Sequence, residues 1–355
     1  MSCGRKVALA ALAVLGVVAM GFFLRGFLDP YRLPWSDWWL YQKNFISPDG
    51  RVIDTGNGDI THSEGQGYAL IIAHAYEDRK AFDRIWEWTR KNLQTRPDDK
   101  LLSWLWKTDG KGGGAVADIN NASDGDLLVA WALARAYRSW GDYRYQQASL
   151  QILSDLARLD VVKSGDRNVL LPGTVGFVKE NGITLNPSYY VFPALAEVAR
   201  NVPTGPWKEL EVSGGTLVEQ ASFGAWKLVA DWVLDGEIVT LSPDFPPLFG
   251  YNAVRVPLHI AWHNPRSKLL QPIAKFWKKF PGSKMPATVN LETDEFGPDP
   301  ALPGVRAVAA FTIACAENQR LTVRALPDLN REEPYFSASL NLLTKIAVRE
   351  SFSSN

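Results

Sequence analysis

Two carboxylates stand at the start of apolar stretches in this sequence. Glu64 lies in "SEGQGYALIIAHA" at 63–75, and Asp124 lies in "SDGDLLVAWALARAY" at 123–137. Each could be a helix cap, because an acid in the first turn meets the positive end of the helix dipole. Gly65 and Gly67 follow Glu64 where a helix would prefer alanine. We expect these glycines to leave room for a substrate beside the carboxylate.

Polar side chains recur where two further apolar stretches begin. Tyr189 follows the start near 187, and Asn252 with Arg255 marks the start near 252. The starts near 64, 124, 187 and 252 are almost evenly spaced along the chain. Helices that point the same way around a closed ring bring their N-terminal residues to one end. The sequence therefore predicts that these polar residues meet in a cleft.

Two carboxylates in a cleft lined by tryptophan fit glycoside hydrolysis. One acid protonates the leaving oxygen, and a second carboxylate activates water or attacks directly. The acid needs a raised pKa, from burial or from a like charge nearby. Trp104 and Trp106 in "LLSWLWKTDG" alternate as in an extended segment with both rings on one side. They are candidates for sugar platforms or for core positions, and most of the 14 tryptophans are expected in the core.

Helical periodicity sets out the elements that must position these residues. Stretches that are apolar nearly all round begin near 64, 124, 187, 252 and 305, and amphipathic stretches begin near 79, 142, 214 and 265. The first kind suits inner helices and the second suits outer helices. This alternation predicts an all-α toroid of inner and outer helices, an (α/α)6 barrel of about six pairs. Small β-hairpin insertions are expected, one of them within 169–178, and a long loop over 281–304.

Composition and the N-terminal segment narrow the possible functions. Lys+Arg and Asp+Glu both number 38, which gives no sign of a nucleic-acid partner. "HIAWH" at 259–263 lacks the glutamate of the zinc-protease motif, so no metal site is predicted.

Residues 1–27 combine Arg5 and Lys6 with an apolar run from Val7 to Leu24. They predict a signal peptide or an uncleaved N-terminal membrane anchor, followed by one catalytic domain over 28–355. A periplasmic or secreted protein is expected, or one anchored in the inner membrane.

Several stretches together resemble glycoside hydrolase family 8, most closely its periplasmic endoglucanases from bacterial cellulose-synthesis operons. They are "HSEGQGYAL", "LSWLW", "NNASDGDLLVAWAL", "LLPGTVGF", "LNPSYY" and "GYNAVRVPLHIAW", which follow the family's order. The resemblance implies an (α/α)6 barrel and cleavage of β-1,4-glucan with inversion. It also implies no cofactor, a β-1,4-linked polysaccharide as substrate, and a cellulose synthase complex as a candidate partner.

The resemblance also implies roles for individual residues. Glu64 would be the general acid, and Asp124 would hold the distorted sugar at the cleavage subsite. Trp104 and Tyr189 would contact glucosyl units, and Arg255 would orient its neighbours. The endoglucanases of the family carry their general base in a Y-D-A-x-R element, where this chain has Asn252.

The amide at position 252 leaves three alternatives, because an amide cannot accept a proton from the attacking water. A loop carboxylate could supply the base, and the candidates are Asp235, Glu237, Asp244 and Glu180. Asp124 could take on part of the role of the base. The protein could instead bind glycan without cleaving it. Chitosan and xylan also lie within the family's range of substrates.

Overall fold

A computed structural model describes residues 29–353, so the predicted signal peptide or anchor at 1–27 lies outside the described residues. The described part of the chain contains eleven α-helices: α1 (Trp35–Phe45), α2 (Ser63–Ala75), α3 (Arg79–Asn92), α4 (Ser123–Trp140), α5 (Tyr143–Leu159), α6 (Phe192–Asn201), α7 (Trp207–Gln220), α8 (Arg255–His263), α9 (Gln271–Lys279), α10 (Pro303–Ala316) and α11 (Tyr335–Phe352).

These helices form an inner ring and an outer layer. The inner helices α2, α4, α6, α8, α10 and α11 are buried over most of their length. The outer helices α1, α3, α5, α7 and α9 bury one side only. The predicted (α/α)6 barrel is confirmed, with one difference among the described residues. Helix α10 connects to α11 through 317–334, which contains a single 3-10 turn at Val323–Ala325 in place of an outer helix.

Sequence signals account for the boundaries and the interior of the barrel. Asp78 caps α3 by accepting a hydrogen bond from the Ala81 amide, and Asp142 caps α5 through the Arg144 amide. The expectation that most of the 14 tryptophans lie in the core is confirmed, because eight of them are buried. Four of these are fully buried: Trp38, Trp131, Trp207 and Trp277. Burial of such large apolar surfaces supplies much of the driving force for folding.

Thirteen short strands lie in the connections that lead from an outer helix to the next inner helix: β1 (Thr61–His62), β2 (Leu105–Thr108), β3 (Gly114–Asp118), β4 (Val161–Ser164), β5 (Arg167–Leu170), β6 (Val178–Lys179), β7 (Gly182–Leu185), β8 (Ser222–Phe223), β9 (Leu228–Val229), β10 (Val233–Asp235), β11 (Val239–Leu241), β12 (Leu248–Phe249) and β13 (Val289–Asn290). Antiparallel pairing gives sheets with the orders β1-β2-β3, β11-β10-β7-β6, β12-β13, β4-β5 and β8-β9.

The hairpin expected within 169–178 is wrong in position. Strand β5 pairs with β4 upstream, with Val161 opposite Leu170, and the chain leaves the sheet at Leu171. Pro172 cannot donate a backbone hydrogen bond to a ladder, so 171–177 forms a loop. The long loop expected over 281–304 is largely confirmed, because it holds only a 3-10 turn and β13 before α10 begins at Pro303.

None of the described helices is long and apolar enough to cross a membrane. Cys315 lies buried in α10 as a free thiol.

Candidate active site

The predicted polar residues gather where the inner helices begin. Glu64 and Asp124 lie in the first turns of α2 and α4, and Arg255 is the first residue of α8. Tyr189 ends a 3-10 turn just before α6, and its ring centre is 5.9 Å from the Arg255 guanidinium carbon. One end of the barrel therefore carries a shared site, which we call the cleft end.

Arg255 holds the two carboxylates together. Its side chain is 3% exposed, and Nη1 donates to Glu64 Oε2 and, over 3.1 Å, to Asp124 Oδ2. The same nitrogen donates to the Tyr68 hydroxyl over 3.1 Å. A buried guanidinium needs such partners, because an unpaired buried charge is strongly destabilising. Arg255 thus fixes the relative position of both acids.

The second terminal nitrogen of Arg255 binds neutral groups. Nη2 donates to Ser188 Oγ over 2.9 Å and to Asn252 Oδ1 over 2.7 Å. Since the Asn252 carbonyl oxygen is used in this way, its amide nitrogen is left to face other partners as a donor. The structure therefore places an amide donor at position 252, and this group cannot take a proton from water.

Glu64 and Asp124 both bind Arg255 Nη1, so the pKa of each carboxyl group depends on the charge of the other. Burial and the neighbouring Glu64 carboxylate raise the pKa of Asp124 well above its usual value. Burial alone would raise the pKa of Glu64, but Arg255, His62 and the hydrogen bond from Asp124 lower it. The pKa values of the two acids therefore shift in opposite directions. The raised pKa expected for Glu64 is not found, because Arg255 stabilises the Glu64 carboxylate.

Close approach of α2 and α4 brings these acids into contact. A Cβ on Gly125 would lie 2.8 Å from the Glu64 backbone nitrogen, and one on Gly67 would lie 2.6 Å from Leu128 Cβ. A Cβ on Gly65 would lie 2.6 Å from the Tyr335 hydroxyl. The expectation that Gly65 and Gly67 leave room for substrate is therefore wrong. They allow packing against protein groups.

Asp231 supports the turn that carries Asn252. Its Oδ1 accepts hydrogen bonds from the Gly250 amide over 3.0 Å and from the Ala253 amide over 2.6 Å. Burial raises the pKa of Asp231 to about 6, despite these hydrogen bonds and the charge of Arg255. This carboxylate thus fixes the backbone on both sides of Asn252.

Trp104 lies beside Glu64, whereas Trp106 belongs to the core. The Trp104 carbonyl accepts from the Ser63 amide over 3.1 Å, and its half-exposed indole donates to Asp118 Oδ2 over 2.8 Å. Trp106 is buried in β2 and packs edge-on against Trp88 at 5.5 Å. An irregularity in the pairing of β2 with β3 falls between Leu105 and Trp106. Trp104 therefore remains a candidate for a sugar platform, whereas Trp106 does not.

An aromatic stack next to Tyr189 was not predicted from the sequence. Trp232 lies 6.0 Å from Tyr189, and its ring stacks on Phe245 at 4.1 Å and on Phe177 at 6.0 Å. The three stacked residues come from separate loops, so no spacing in the sequence relates them. They extend the aromatic lining of the cleft end.

The loop carboxylates considered as bases have other surroundings. Asp235 is buried in β10 and bound by Arg167, and Asp244 forms an exposed ion pair with Lys179. Glu180 and Glu237 are exposed in the turns of the β6–β7 and β10–β11 hairpins. None of these four shares a described hydrogen bond with the Arg255 cluster. Asp124 is also unsuited, because inverting acid–base pairs lie roughly 6.5–9.5 Å apart, whereas Asp124 and Glu64 bind the same nitrogen of Arg255.

Three residues that complete the site were missed. Tyr68 lies one helical turn after Glu64, so helical spacing could have indicated it. Ser188 adjoins Tyr189 and donates to Asn186 Oδ1 over 2.7 Å while it accepts from Arg255. His62 caps α2 by accepting from the Gly65 amide over 3.0 Å. Within residues 29–353, no group of three or more potential ligand residues is placed to hold a metal ion.

Comparison with known proteins identifies the family. The model of glycosyl hydrolases family 8 matches residues 13–350. The chain belongs to glycosyl hydrolase family 8. This family 8 chain is 38% identical over 303 residues to an endoglucanase of Cellulomonas uda, which covers 84% of the chain and 83% of the relative. It is 38% identical over 320 residues to a probable endoglucanase of Novacetimonas hansenii, covering 89% and 91%.

Solved family 8 structures share its fold. An endoglucanase from Klebsiella pneumoniae superposes with a TM-score of 0.82 at 36% identity, covering 89% of this chain and 99% of that one. An endo-beta-1,4-glucanase from Acetobacter xylinum gives a TM-score of 0.81 at 36% identity, covering 89% and 98%. The protein is a glycosidase with the barrel of these relatives.

Proposed function

We propose that this family 8 glycosidase is an endo-acting, inverting hydrolase of β-1,4-glucan, with Glu64 as its general acid. The observation that carries the proposal is the pairing of half-buried Glu64 with buried Asp124 on one nitrogen of Arg255. Trp104 and Tyr189 lie beside this pair and offer faces for sugar rings. The endoglucanase relatives support glucan as the substrate.

Glu64 must carry a proton to act as the general acid, and the neighbouring Asp124, whose pKa is raised, can supply it. When a sugar hydroxyl binds Asp124, the proton of Asp124 can pass to Glu64, because both carboxyl groups lie at the same Arg255 nitrogen. Glu64 then protonates the glycosidic oxygen as its bond to the anomeric carbon breaks, and water adds to that carbon from the opposite side. Asp124, left ionised, holds the distorted sugar.

Asn252 makes the addition of water slow. In this proposal no carboxylate replaces the missing base, and the proton of the attacking water passes to solvent. General base catalysis typically contributes about 10²–10⁴ in rate. We therefore expect measurable but weak activity.

The second candidate function is glucan binding without cleavage. Binding without cleavage is favoured by the side chain of Asn252. Its oxygen accepts a hydrogen bond from Arg255 Nη2 over 2.7 Å, and its nitrogen is a donor. Chitosan and xylan remain alternative substrates for either function.

Release of reducing sugar separates these functions. Wild type, Glu64→Gln and Asn252→Asp are assayed on a soluble cellulose derivative, chitosan and xylan. Activity of the wild type on the cellulose derivative, and its loss in Glu64→Gln, is the expected result. If wild type and Glu64→Gln are equally inert while Asn252→Asp is active, the hydrolase proposal fails for the natural protein.

We also propose export, with residues 1–27 retained as an anchor in the inner membrane and the barrel in the periplasm. The apolar run from Val7 to Leu24 is near the lower length for a span, and no clear small-x-small cleavage site follows it. A cellulose synthase complex in the same membrane is the proposed partner. N-terminal sequencing of the protein recovered from membranes tests retention, and co-purification with the synthase tests the partner.

A further inference from the structure

The end of the barrel opposite the cleft end is where the described chain begins. Tyr76 directly follows α2, so it lies nearly one helix length from Glu64, about 18 Å at 1.5 Å per residue. Its hydroxyl donates to the Pro34 carbonyl over 3.1 Å, and its ring lies 5.7 Å from that of Trp35. The Pro30 carbonyl accepts from the Arg324 amide, between α10 and α11. We call this end of the barrel the tether end.

Exposed aromatic side chains are found at the tether end. Trp35 is 54% exposed at the first position of α1, and Tyr143 is 72% exposed at the first position of α5. Tyr143 lies 5.4 Å from Tyr137 of α4, so a second aromatic ring adjoins it. Arg320 is exposed at the same end, where its guanidinium lies 5.8 Å from the ring of Tyr31 and donates one hydrogen bond to the Phe352 carbonyl. Amphipathic aromatic rings and arginine are the residue types enriched where proteins meet the headgroups of a bilayer.

The sequence before Asp29 limits how far this end can be from a membrane. The apolar run ends at Leu24, and only residues 25–28 lie between it and the described chain. Fully extended, that connection reaches about 18 Å. The headgroup region on one side of a bilayer is itself roughly 5–8 Å thick. With residues 1–27 retained as the anchor, Asp29 therefore lies within about 18 Å of the hydrocarbon core, which keeps the tether end close to the headgroups.

We propose that the tether end, marked by Trp35 and Tyr143, is a docking surface for the phospholipid bilayer in which residues 1–27 are anchored. This inference rests on the anchoring part of the proposed function. Trp35 and Tyr143 insert their rings among the headgroups, and Arg320 faces lipid phosphates. The cleft end then opens away from the membrane, towards glucan that leaves a synthase in the same bilayer.

Fluorescent labels at the two ends of the barrel test this orientation. The full chain carries Cys3→Ser, and buried Cys315 is kept. A polarity-sensitive label is attached at Tyr143→Cys or, as a control of similar exposure, at Ile238→Cys. Ile238 is 75% exposed in the β10–β11 turn, at the cleft end. Both proteins are reconstituted in vesicles that contain anionic phospholipid.

Docking predicts a blue shift and loss of iodide quenching at position 143 and no change at 238. Adding Trp35→Ser should restore quenching at 143 while the chain still floats with the vesicles. Equal quenching at both positions in floating chains overturns docking and leaves anchoring intact. A chain that does not float overturns both, and reducing-sugar release reports the hydrolase separately. Two further outcomes, both measured without vesicles, would overturn the proposal. If soluble glucan shields position 143, this face binds glucan. If higher protein concentration shields it, this face binds a second copy of the chain.

Discussion

Replacing Asn252 by aspartate should convert a weak glycosidase into an efficient one. The Asn252 oxygen lies 2.7 Å from Arg255 Nη2, so a carboxylate of nearly the same shape can keep this hydrogen bond. Its second oxygen takes the place of the amide nitrogen and can accept the proton of the attacking water. We expect kcat to rise by about 10²–10⁴. This corresponds to ~2.7–5.5 kcal/mol of additional transition-state stabilisation.

The same substitution should widen the pH range of activity. Arg255 lowers the pKa of Glu64, and a general acid works only while it is protonated. An added carboxylate on Arg255 weakens this effect, so the pKa of Glu64 rises and activity persists to higher pH. The assay is reducing-sugar release from a soluble cellulose derivative at saturating substrate, measured from pH 4 to pH 9 by steps.

Two control variants isolate the effect of the carboxylate. Asn252→Ala removes the contact with Arg255 without adding a base, and should not gain activity. Asn252→Asp combined with Glu64→Gln should lose the gain. The reasoning is refuted if Asn252→Asp raises kcat by less than about tenfold over an active wild type, because another group would then already supply most of the expected 10²–10⁴.

Further variants test packing, substrate contact and buried charge. Gly125→Ala should cost ~1–3 kcal/mol of unfolding free energy, seen as a lower Tm, because its Cβ would lie 2.8 Å from the Glu64 nitrogen. Gly215→Ala is the matched control, since a Cβ there meets nothing within 4 Å and should stabilise α7 by ~0.5–1 kcal/mol. A Gly125→Ala protein as stable as wild type contradicts the close approach. Trp104→Ala should raise KM by roughly 2- to 13-fold, because ~0.5–1.5 kcal/mol of aromatic contact is lost. Trp106→Ala should mainly lower Tm. The opposite pattern would exchange the roles of these two tryptophans. Burial raises the pKa of Asp160 to about 6, so its contribution to stability falls as pH rises from about 4 through 6. Asp160→Asn should therefore gain stability relative to wild type over that interval in urea denaturation, by up to ~3 kcal/mol, and a constant difference would argue against it.

Much of the fold could be predicted because helical periodicity is a local property. The contrast between all-apolar and amphipathic stretches placed α2, α4 and α10 within two residues of their starts. Helices α6 and α8 begin later than predicted, at Phe192 and Arg255, because a 3-10 turn and a turn precede them. The hairpin near 169–178 was misplaced, since strand pairing depends on partners that local pattern does not specify.

Within the site, the identity of the polar residues could be predicted, but their electrostatics could not. The even spacing of the inner helices was enough to predict that Glu64, Asp124, Asn252 and Arg255 meet at one end of the barrel. Spacing gave no indication that Arg255 would bind both acids, or that their pKa values would shift in opposite directions. A pKa depends on distances of a few ångströms between groups far apart in the chain.

The sequence by itself determined the barrel class, the family motifs and the replacement of the usual base by Asn252. Only the tertiary structure decided that Gly67 and Gly125 serve contact between α2 and α4, and that Trp106 belongs to the core. It alone also brought Phe177, Trp232 and Phe245 into one stack. The physical reason is the same in each case. Periodicity and motif record what a residue needs from its neighbours in the chain, whereas packing and electrostatics depend on neighbours that only the folded barrel supplies.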